Sequence, residues 1–134
     1  MDGTWRFGIK HPCVDDIDDV EGFILKTSRD THIACVHVPY RDSHPRFAII
    51  YSHPSGSDLS DHLIGVPSLK DMARFYRCDI YSYDYSGYGL SSGHPGEANQ
   101  NADIRAVYEH LTKARKCSPD KVCLIKIFLK MVTK

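Results

Sequence analysis

The chain has 134 residues, of which 42% are hydrophobic and 25% are charged, and its 17 basic residues balance its 17 acidic ones. This length accommodates one domain, and the balanced charge excludes a long-range field that would attract nucleic acid or an anionic membrane. The apolar runs are far shorter than the ~20 residues of a membrane-spanning helix, and residues 1–10 lack the order of a signal peptide, so the sequence predicts an intracellular protein without a transmembrane segment.

The first 20 residues show no periodic pattern and are predicted to be irregular. Their acidic run, Asp15–Val20, lacks the glycine and distal glutamate of a calcium loop and is predicted to be a solvated surface. Two short β-type runs follow, Gly22–Ser28 and His32–Val38, separated by "RDT". This pattern predicts an antiparallel hairpin.

Two further β-type runs, Arg46–Ser52 and Cys78–Tyr85, flank a helical segment. Pro67 suits the first turn of a helix, and apolar residues recur around it at steps of three and four. The predicted inner stripe of this helix consists of Val66, Leu69, Met72, Ala73 and Tyr76.

A second helix is predicted after "GHPGEAN", because apolar and charged residues fall on opposite faces of the next segment. Its inner stripe consists of Ala102, Ala106, Val107 and Leu111, and its solvated face of Arg105, Glu109, Lys113 and Arg115. Ser118–Asp120 breaks the helix before a last β-type run, Lys121–Ile125. The order of elements predicts an α/β fold, with an N-terminal hairpin, a mostly parallel sheet of about five strands and two main helices. Ligands of such sheets collect at the carboxyl ends of the strands.

Neither a metal, a cofactor nor a disulfide is predicted. The eight histidines are scattered without H-x-x-x-H or H-E-x-x-H spacing. The five cysteines include no C-x-x-C, and most lie among β-type residues, so they are predicted to be reduced core thiols.

The loop Tyr83–Gly93, "YDYSGYGLSSG", follows the fourth strand. A phosphate-binding G-x-G-x-x-G would need a glycine at position 92, where Ser92 stands, so nucleotide binding is the weaker interpretation. The stronger one is a tight turn whose glycines take positive φ, with Asp84 and Ser86 bonding the local backbone.

The loop Ser52–Leu63, "SHPSGSDLSDHL", follows the third strand and has two interpretations. Small residues at this place can direct backbone N–H groups at a developing oxyanion, and because Pro54 has no N–H, Ser55 and Gly56 would supply them. The alternative is an ordinary connection in which Asp58 or Asp61 caps the next helix.

Three stretches, "IIYSHPSGSDLSD", "CDIYSYDYSGYGLSSGHPGEANQNADIRAVYEHL" and "SPDKVCLI", closely resemble the α/β-hydrolase superfamily, and within it the depalmitoylating group of α/β-hydrolase domain-containing protein 17. The resemblance covers Val20 to Ile125 and implies the N-terminal half of an α/β-hydrolase domain over residues 21–125. An irregular segment, 1–20, precedes it, and a divergent basic and apolar tail, 126–134, follows. The activity it implies is that of an intracellular serine hydrolase that cleaves palmitoyl thioesters.

Several residues correspond to the motifs of this group. His53 and the loop to Asp58 are similar to its oxyanion loop, with Pro54 in place of a glycine, so His53, Ser55 and Gly56 are the oxyanion-loop candidates. Its glycine-rich turn is implied to be structural. This turn corresponds to Asp84, Gly87, Gly89 and Ser91.

The resemblance also implies a G-x-S-x-G nucleophile turn directly after Lys121–Ile125, and none follows there. Phe128 holds the serine position, with Lys126 and Lys130 at the glycine positions, and the family's acid and base histidine lie beyond the matched stretches. No catalytic residue is therefore assigned. A relocated triad of Ser86, Ser91 or Ser92 with His53 or His94 is disfavoured, because serines beside turn glycines usually bond backbone.

The sequence thus predicts a truncated, inactive relative of protein depalmitoylases. The alternatives are a non-catalytic module that pairs through its exposed fifth strand with a protein partner or full-length paralogue, or a fragment of a longer active palmitoyl-protein hydrolase. A strand left at the sheet edge also predicts marginal stability. The expected location is the cytoplasm, since Cys13 alone offers an acylation site near the N-terminus and one chain gives weak peripheral membrane binding.

Overall fold

A computed structural model describes residues 5–6, 20–40, 47–53, 63 and 68–126. The predicted N-terminal hairpin is confirmed. Strand β2 (Glu21–Lys26) and strand β3 (His32–Val38) pair antiparallel, with Phe23 opposite Cys35. The turn between them needs one residue of positive φ, which Asp30 supplies at 62°.

The prediction of an irregular N-terminal segment is wrong for two residues. Trp5–Arg6 forms a short strand, β1, which pairs antiparallel with the start of β2. Two residues are too few for a periodic signal, so pairing with an existing strand is what makes β1 a strand.

Strand β4 (Ala48–Ser52), helix α1 (Leu69–Tyr76) and strand β5 (Asp79–Tyr83) form the first parallel crossover. Helix α1 begins with a capping box, in which Ser68 accepts a hydrogen bond from the Asp71 N–H and the Asp71 carboxylate accepts one from the Ser68 N–H. Val66, Pro67, Asp58 and Asp61 lie outside the described residues.

The predicted inner stripe of α1 is correct for Leu69 and Ala73, which are buried, and for Met72, which packs on them. It is wrong for Tyr76, which is 47% exposed. Tyr76 closes the last turn before Arg77 turns the chain into the left-handed region, so its side chain points away from the sheet.

Helix α2 (Glu97–Glu109) continues as a π-helical turn, His110–Ala114, and a short 3-10 turn, Pro119–Lys121, then leads into strand β6 (Val122–Lys126). Ala102, Val107 and Leu111 are buried as predicted, and Ala106 packs against the cluster that contains Val107 and Leu111. Arg115 does not lie on a solvated face as predicted. Its guanidinium donates to Glu21 and lies 5.3 Å from the centre of the Phe23 ring, because the π-helical turn rotates the end of the helix toward β2.

The strands form one sheet in the order β1-β2-β3-β5-β4-β6. The α/β fold class is confirmed, but the sheet is mixed. The β4–β5 and β4–β6 pairs are parallel, whereas the β1–β2, β2–β3 and β3–β5 pairs are antiparallel, so "mostly parallel" holds only for the β5-β4-β6 half.

The core lies on both faces of this sheet. On one face, α1 covers a cluster that includes Val36, Ile49 and Ile80. On the other, α2 covers a cluster that includes Ile33, Ile50 and Tyr83. Burial of two faces explains why the strands at the centre are nearly uniformly apolar.

Four cysteines lie among the described residues, and all four are free thiols. Cys35 and Cys78 are buried as predicted, whereas Cys117 is partly exposed and Cys123 is exposed on the edge strand β6. Across the described ranges no helix is long and apolar enough to cross a bilayer. The same residues do not bring together three side chains that could hold a metal ion.

Candidate functional site

The carboxyl ends of β4 and β5 bring a histidine and an aspartate together. Tyr51 of β4 is in register with Ser82 of β5, so the residues that follow the two parallel strands leave the sheet side by side. The His53 Nε2 lies 3.1 Å from the Asp84 Oδ1, and both residues are buried, at 0% and 4% exposure. The pair joins the start of the oxyanion loop to the start of the glycine turn.

Two tyrosines fix the backbone on either side of this pair. The Tyr85 hydroxyl donates to the His53 carbonyl oxygen at 2.6 Å, and the Tyr83 hydroxyl lies 2.8 Å from the Ser52 Oγ. Burial raises the pKa of Tyr85 to about 12, so its hydroxyl is a permanent donor at neutral pH. His53 therefore starts the loop from a fixed position, while the oxyanion-loop candidates Ser55 and Gly56 lie outside the described residues and stay predictions.

The glycine turn is shaped around the Asp84 carboxylate. Gly87 and Gly89 have φ of 85° and 52°, as the tight-turn interpretation predicts. A Cβ on Gly89 would lie 2.1 Å from the Asp84 Oδ2, so the absence of a side chain there lets the turn close over the carboxylate. The Asp84 side chain is predicted to bond the local backbone, but its described partner is the ring of His53 on the neighbouring loop.

Ser91 ties the same turn to the hairpin. Its hydroxyl donates to the Asp84 carbonyl oxygen at 2.8 Å and accepts from the Ala34 N–H at 3.0 Å. Residues Gly89–Gly93 happen to spell G-x-S-x-G, but the geometry differs from a nucleophile turn. The Ser91 proton points at a carbonyl oxygen, and the next helix begins only at Glu97, whereas a nucleophile serine sits on a sharp strand-to-helix turn.

Sequence reasoning missed Asp103, a fully buried carboxylate on α2. Its two oxygens accept hydrogen bonds from the Ser86 N–H at 2.7 Å and the Ser86 Oγ at 2.6 Å. Burial raises the pKa of Asp103, although the Ser86 donors oppose this effect. The sequence does contain a signal for this buried carboxylate. Asp103 lies one helical turn before Ala106 and Val107, which places it on the inner stripe of the helix.

A line of hydroxyl groups extends from this carboxylate. Because Ser86 donates to Asp103, its oxygen accepts from Thr31 at 3.0 Å, and Thr31 in turn accepts from Thr27 at 2.7 Å. In a buried environment of low dielectric, the successive hydrogen bonds of such a chain polarise and strengthen one another. These hydrogen bonds join α2, the glycine turn and the hairpin turn, so the prediction that the Ser86 side chain bonds the local backbone is wrong.

The serines at this end of the sheet all have structural partners. Ser52, Ser86 and Ser91 bond as described above, and the Ser92 Oγ accepts from the His32 N–H at 2.8 Å. Among the described residues, none of these four hydroxyls bonds a histidine ring nitrogen. His94 is exposed, and its carbonyl oxygen accepts from Asn99.

Strand β6 ends where the family resemblance places the nucleophile turn. Lys126 is in parallel register with Ser52, so the carboxyl end of β6 lies beside the residue that precedes His53. The positions of Phe128 and Lys130 lie outside the described residues.

Comparison with known proteins agrees with this fold. No protein-family model matches the chain. α/β-Hydrolase domain-containing protein 17C of mouse is 36% identical over 116 residues, covering 81% of this chain and 33% of that protein. Protein 17B of Xenopus laevis is 38% identical over 110 residues, covering 80% and 36%. The chain thus spans about a third of the length of these curated relatives.

Solved structures give the same assignment of the fold. An esterase of Pyrococcus furiosus superposes with a TM-score of 0.65 at 13% identity, covering 91% of this chain and 47% of the esterase. A serine hydrolase without a lid from Xanthomonas campestris gives 0.65 at 16% identity, covering 81% and 50%. With the strand order and the glycine turn described above, these similarities show that the chain is a relative of the α/β-hydrolase domain-containing proteins 17 and carries an incomplete α/β-hydrolase fold.

Proposed function

We propose that this polypeptide is a serine-hydrolase relative without hydrolytic activity of its own. The observation that carries the proposal is the state of the four serines at the carboxyl ends of the strands. An attacking hydroxyl must give its proton to a base, usually a histidine. The Ser91 proton is held by a backbone carbonyl oxygen and the Ser86 proton by Asp103.

The sequence after β6 supports the same proposal. Lys126 ends the strand at the level of Ser52, and the residue in the expected nucleophile position is Phe128. A phenyl ring has no nucleophilic atom, so Phe128 cannot replace the serine that the family resemblance implies at this position. His53 and Asp84 then serve to hold the two loops together.

The test is labelling of the purified chain with a serine-directed fluorophosphonate probe, together with hydrolysis of a palmitoyl-thioester peptide. We expect neither labelling nor hydrolysis by this chain. The positive control is the longer protein 17C, which the family resemblance implies to be active. Labelling that disappears in Ser91→Ala but persists in Ser92→Ala would show an activated Ser91 and would overturn the proposal.

A second candidate function is pairing through the edge strand β6, with a longer relative of this chain as the partner. Within the described residues, β6 pairs with β4 alone. Leu124 is 58% exposed, and Cys123 on the opposite face is also exposed. A strand that is open on one edge and on both faces can add a strand from another protein.

Strand pairing is tested by capture of tagged protein 17C with this chain. We expect Leu124→Lys to abolish capture, because a charge on the exposed face of the strand opposes burial, and Leu90→Lys to leave it unchanged. Leu90 is the matched control, since it is 78% exposed on the glycine turn, away from β6. Equal capture by both variants would exclude β6 as the pairing edge.

A further inference from the structure

A cavity of about 220 Å³ opens at the amino ends of the parallel strands. Ala48 and Asp79, the first residues of β4 and β5, are in register and both line it. Lys121 lines it from the position directly before β6, which is in register with β4. Leu111 and Arg115 add a wall from the end of α2. The cavity thus lies between the sheet and the helix that covers it.

Tyr81 lines this cavity with a hydroxyl that no described residue bonds. The residue is only 4% exposed, and its ring stacks on the His37 ring with centroids 4.4 Å apart. Among the described residues, every buried side-chain oxygen has a hydrogen-bond partner. A Tyr81 hydroxyl without a partner must therefore reach solvent, and it does so through the cavity that its side chain lines.

Packing accounts for the Tyr81 ring but not for its hydroxyl. A phenylalanine ring would stack on His37 equally well and would keep the contact with Arg115, whose guanidinium carbon lies 5.7 Å from the ring centre. The two buried tyrosines that follow on the same side of the sheet differ in this respect. The Tyr83 hydroxyl bonds a serine oxygen and the Tyr85 hydroxyl a backbone carbonyl oxygen.

The Tyr81 hydroxyl keeps its proton at neutral pH. Burial raises the pKa of Tyr81 well above its ordinary value, although the Arg115 guanidinium opposes this effect. The hydroxyl is therefore a hydrogen-bond donor directed at the cavity. A buried donor of this kind favours a ligand that brings an acceptor oxygen.

Lys121 brings a second donor to the same cavity. Its side chain is exposed and makes no salt bridge with any residue that the structure describes. The other charged groups of the wall are already engaged. The Asp79 carboxylate accepts from the Tyr40 N–H at 2.8 Å and pairs with the His37 Nε2 at 2.9 Å, and the Arg115 guanidinium donates to Glu21. The cavity therefore offers a ligand two donors, one of them positively charged.

We propose that the cavity binds a small organic carboxylate. The Tyr81 hydroxyl and the Lys121 ammonium contact the two carboxylate oxygens, and the apolar part of the ligand packs on Leu111 and on the exposed ring of Phe47, which also line the cavity. A phosphate dianion fits less well, because it would meet the Asp79 carboxylate without a guanidinium fork or a set of backbone N–H groups to hold it. The cavity is smaller than the ~300 Å³ at which drug-sized sites begin, so the ligand has about the size of benzoate.

The cavity lies away from the candidate functional site. It is formed where β4 and β5 begin, whereas His53 and Asp84 follow the residues where these two parallel strands end. Binding in the cavity leaves the carboxyl ends of the strands uncovered. It does not depend on whether the chain is catalytically active.

The test is titration of the full chain with benzoate, followed by two-dimensional NMR of the backbone amide groups. We expect saturable binding in the millimolar range, which is what a ligand of this size can supply, with shifts at Phe47 and Lys121. Tyr81→Phe should weaken binding at least about tenfold, the effect of losing a hydrogen bond to a charged group. Lys121→Met should weaken it about threefold, because an exposed ammonium group contributes less.

Matched controls are Tyr88→Phe, on the glycine turn, and Lys113→Met, on the exposed side of the π-helical turn. Neither residue lines the cavity, so both variants should bind like the unaltered chain. Tyr81→Phe keeps the stacked ring, and its urea midpoint should match that of the unaltered chain. A clearly lower midpoint would show that the hydroxyl is bonded within the protein and would overturn the proposal.

Two further ligands separate the charge from the apolar part. Benzyl alcohol has the ring of benzoate without its charge, and inorganic phosphate has the charge without the ring. We expect benzoate to bind about tenfold more tightly than either. Equal affinity for phosphate or for benzyl alcohol overturns the assignment of the ligand class. So does the absence of saturable benzoate binding, or an equal loss in the cavity variants and their controls.

A label on the ring carbon that bears the hydroxyl, Cζ, reports the contact itself. The Tyr81 signal is the one that disappears from the spectrum of Tyr81→Phe. We expect this signal to move as benzoate is added, while the signals of Tyr83 and Tyr85 stay in place because their hydroxyls are bonded within the protein. A Tyr81 signal that stays unchanged at saturation would show that the carboxylate binds elsewhere.

Discussion

Substitution of Gly89 by alanine tests whether the glycine turn is built around the buried His53–Asp84 pair. The backbone at Gly89 has φ of 52°, which costs an alanine about 1–2 kcal/mol. The new Cβ would also lie 2.1 Å from the Asp84 Oδ2, so the carboxylate must move away. Its hydrogen bond with His53 is 3.1 Å long and buried, and losing a bond to a charged group costs about 1.5–3 kcal/mol.

The two terms together predict a loss of about 2.5–5 kcal/mol in the free energy of unfolding. A loss of this size lowers the Tm of a domain of this length by roughly 10–20 °C, and in a chain of marginal stability it unfolds most of the population. Urea denaturation followed by far-ultraviolet circular dichroism measures the effect.

The matched control is Gly96→Ala. Gly96 has an extended backbone with φ of 170°, and a Cβ there meets no atom within 4 Å, so we expect a loss below about 1 kcal/mol, from the N-cap position alone. Equal urea midpoints for the two variants would refute the reasoning, since the contact with Asp84 is what separates them.

Three further predictions concern other polar positions. Arg77→Gly should raise the free energy of unfolding by about 0.5–1 kcal/mol, because glycine adopts the left-handed conformation of this helix end freely; the urea midpoint measures it. Burial opposes ionisation of Asp79, but hydrogen bonds from His37 and a backbone N–H outweigh it, so the pKa of Asp79 is lowered. The ionised carboxylate therefore stabilises the folded chain above its ordinary pKa of 3.8, and this stabilisation is lost as pH falls through the lowered pKa. Asp79→Asn should therefore destabilise the protein at neutral pH and have a smaller effect in acid, as unfolding at a series of pH values will show. Asp103 should show the opposite pH dependence, because burial raises its pKa. The free energy of unfolding of the unaltered chain, relative to Asp103→Asn, should fall as pH rises from about 3.8 through the raised pKa. A constant difference between the two proteins across the pH series would contradict this prediction.

The sequence by itself determined the local elements. The hairpin, the two helices and the strands predicted over 46–52, 78–85 and 121–125 follow from periodicity and turn residues, which act over a few neighbouring residues. The structure ends these strands at Ser52, Tyr83 and Lys126. The glycines of the turn after β5 were predictable for the same reason, because positive φ is a property of single residues. The resemblance of these stretches to the α/β-hydrolases gave the fold class.

Only the tertiary structure decided which polar groups meet. The bond of His53 with Asp84 depends on two parallel strands being neighbours in one register, and the bond of Asp103 with Ser86 depends on how α2 lies across the turn. Local pattern carries no information about such distant pairs. Likewise Arg115 has the spacing of a solvated residue but lies on Phe23, because the helix changes to a π turn before it. Burial and pairing are properties of the assembled sheet, whereas periodicity is a property of the chain. The sequence alone therefore predicts the helices and strands but not which distant side chains contact one another.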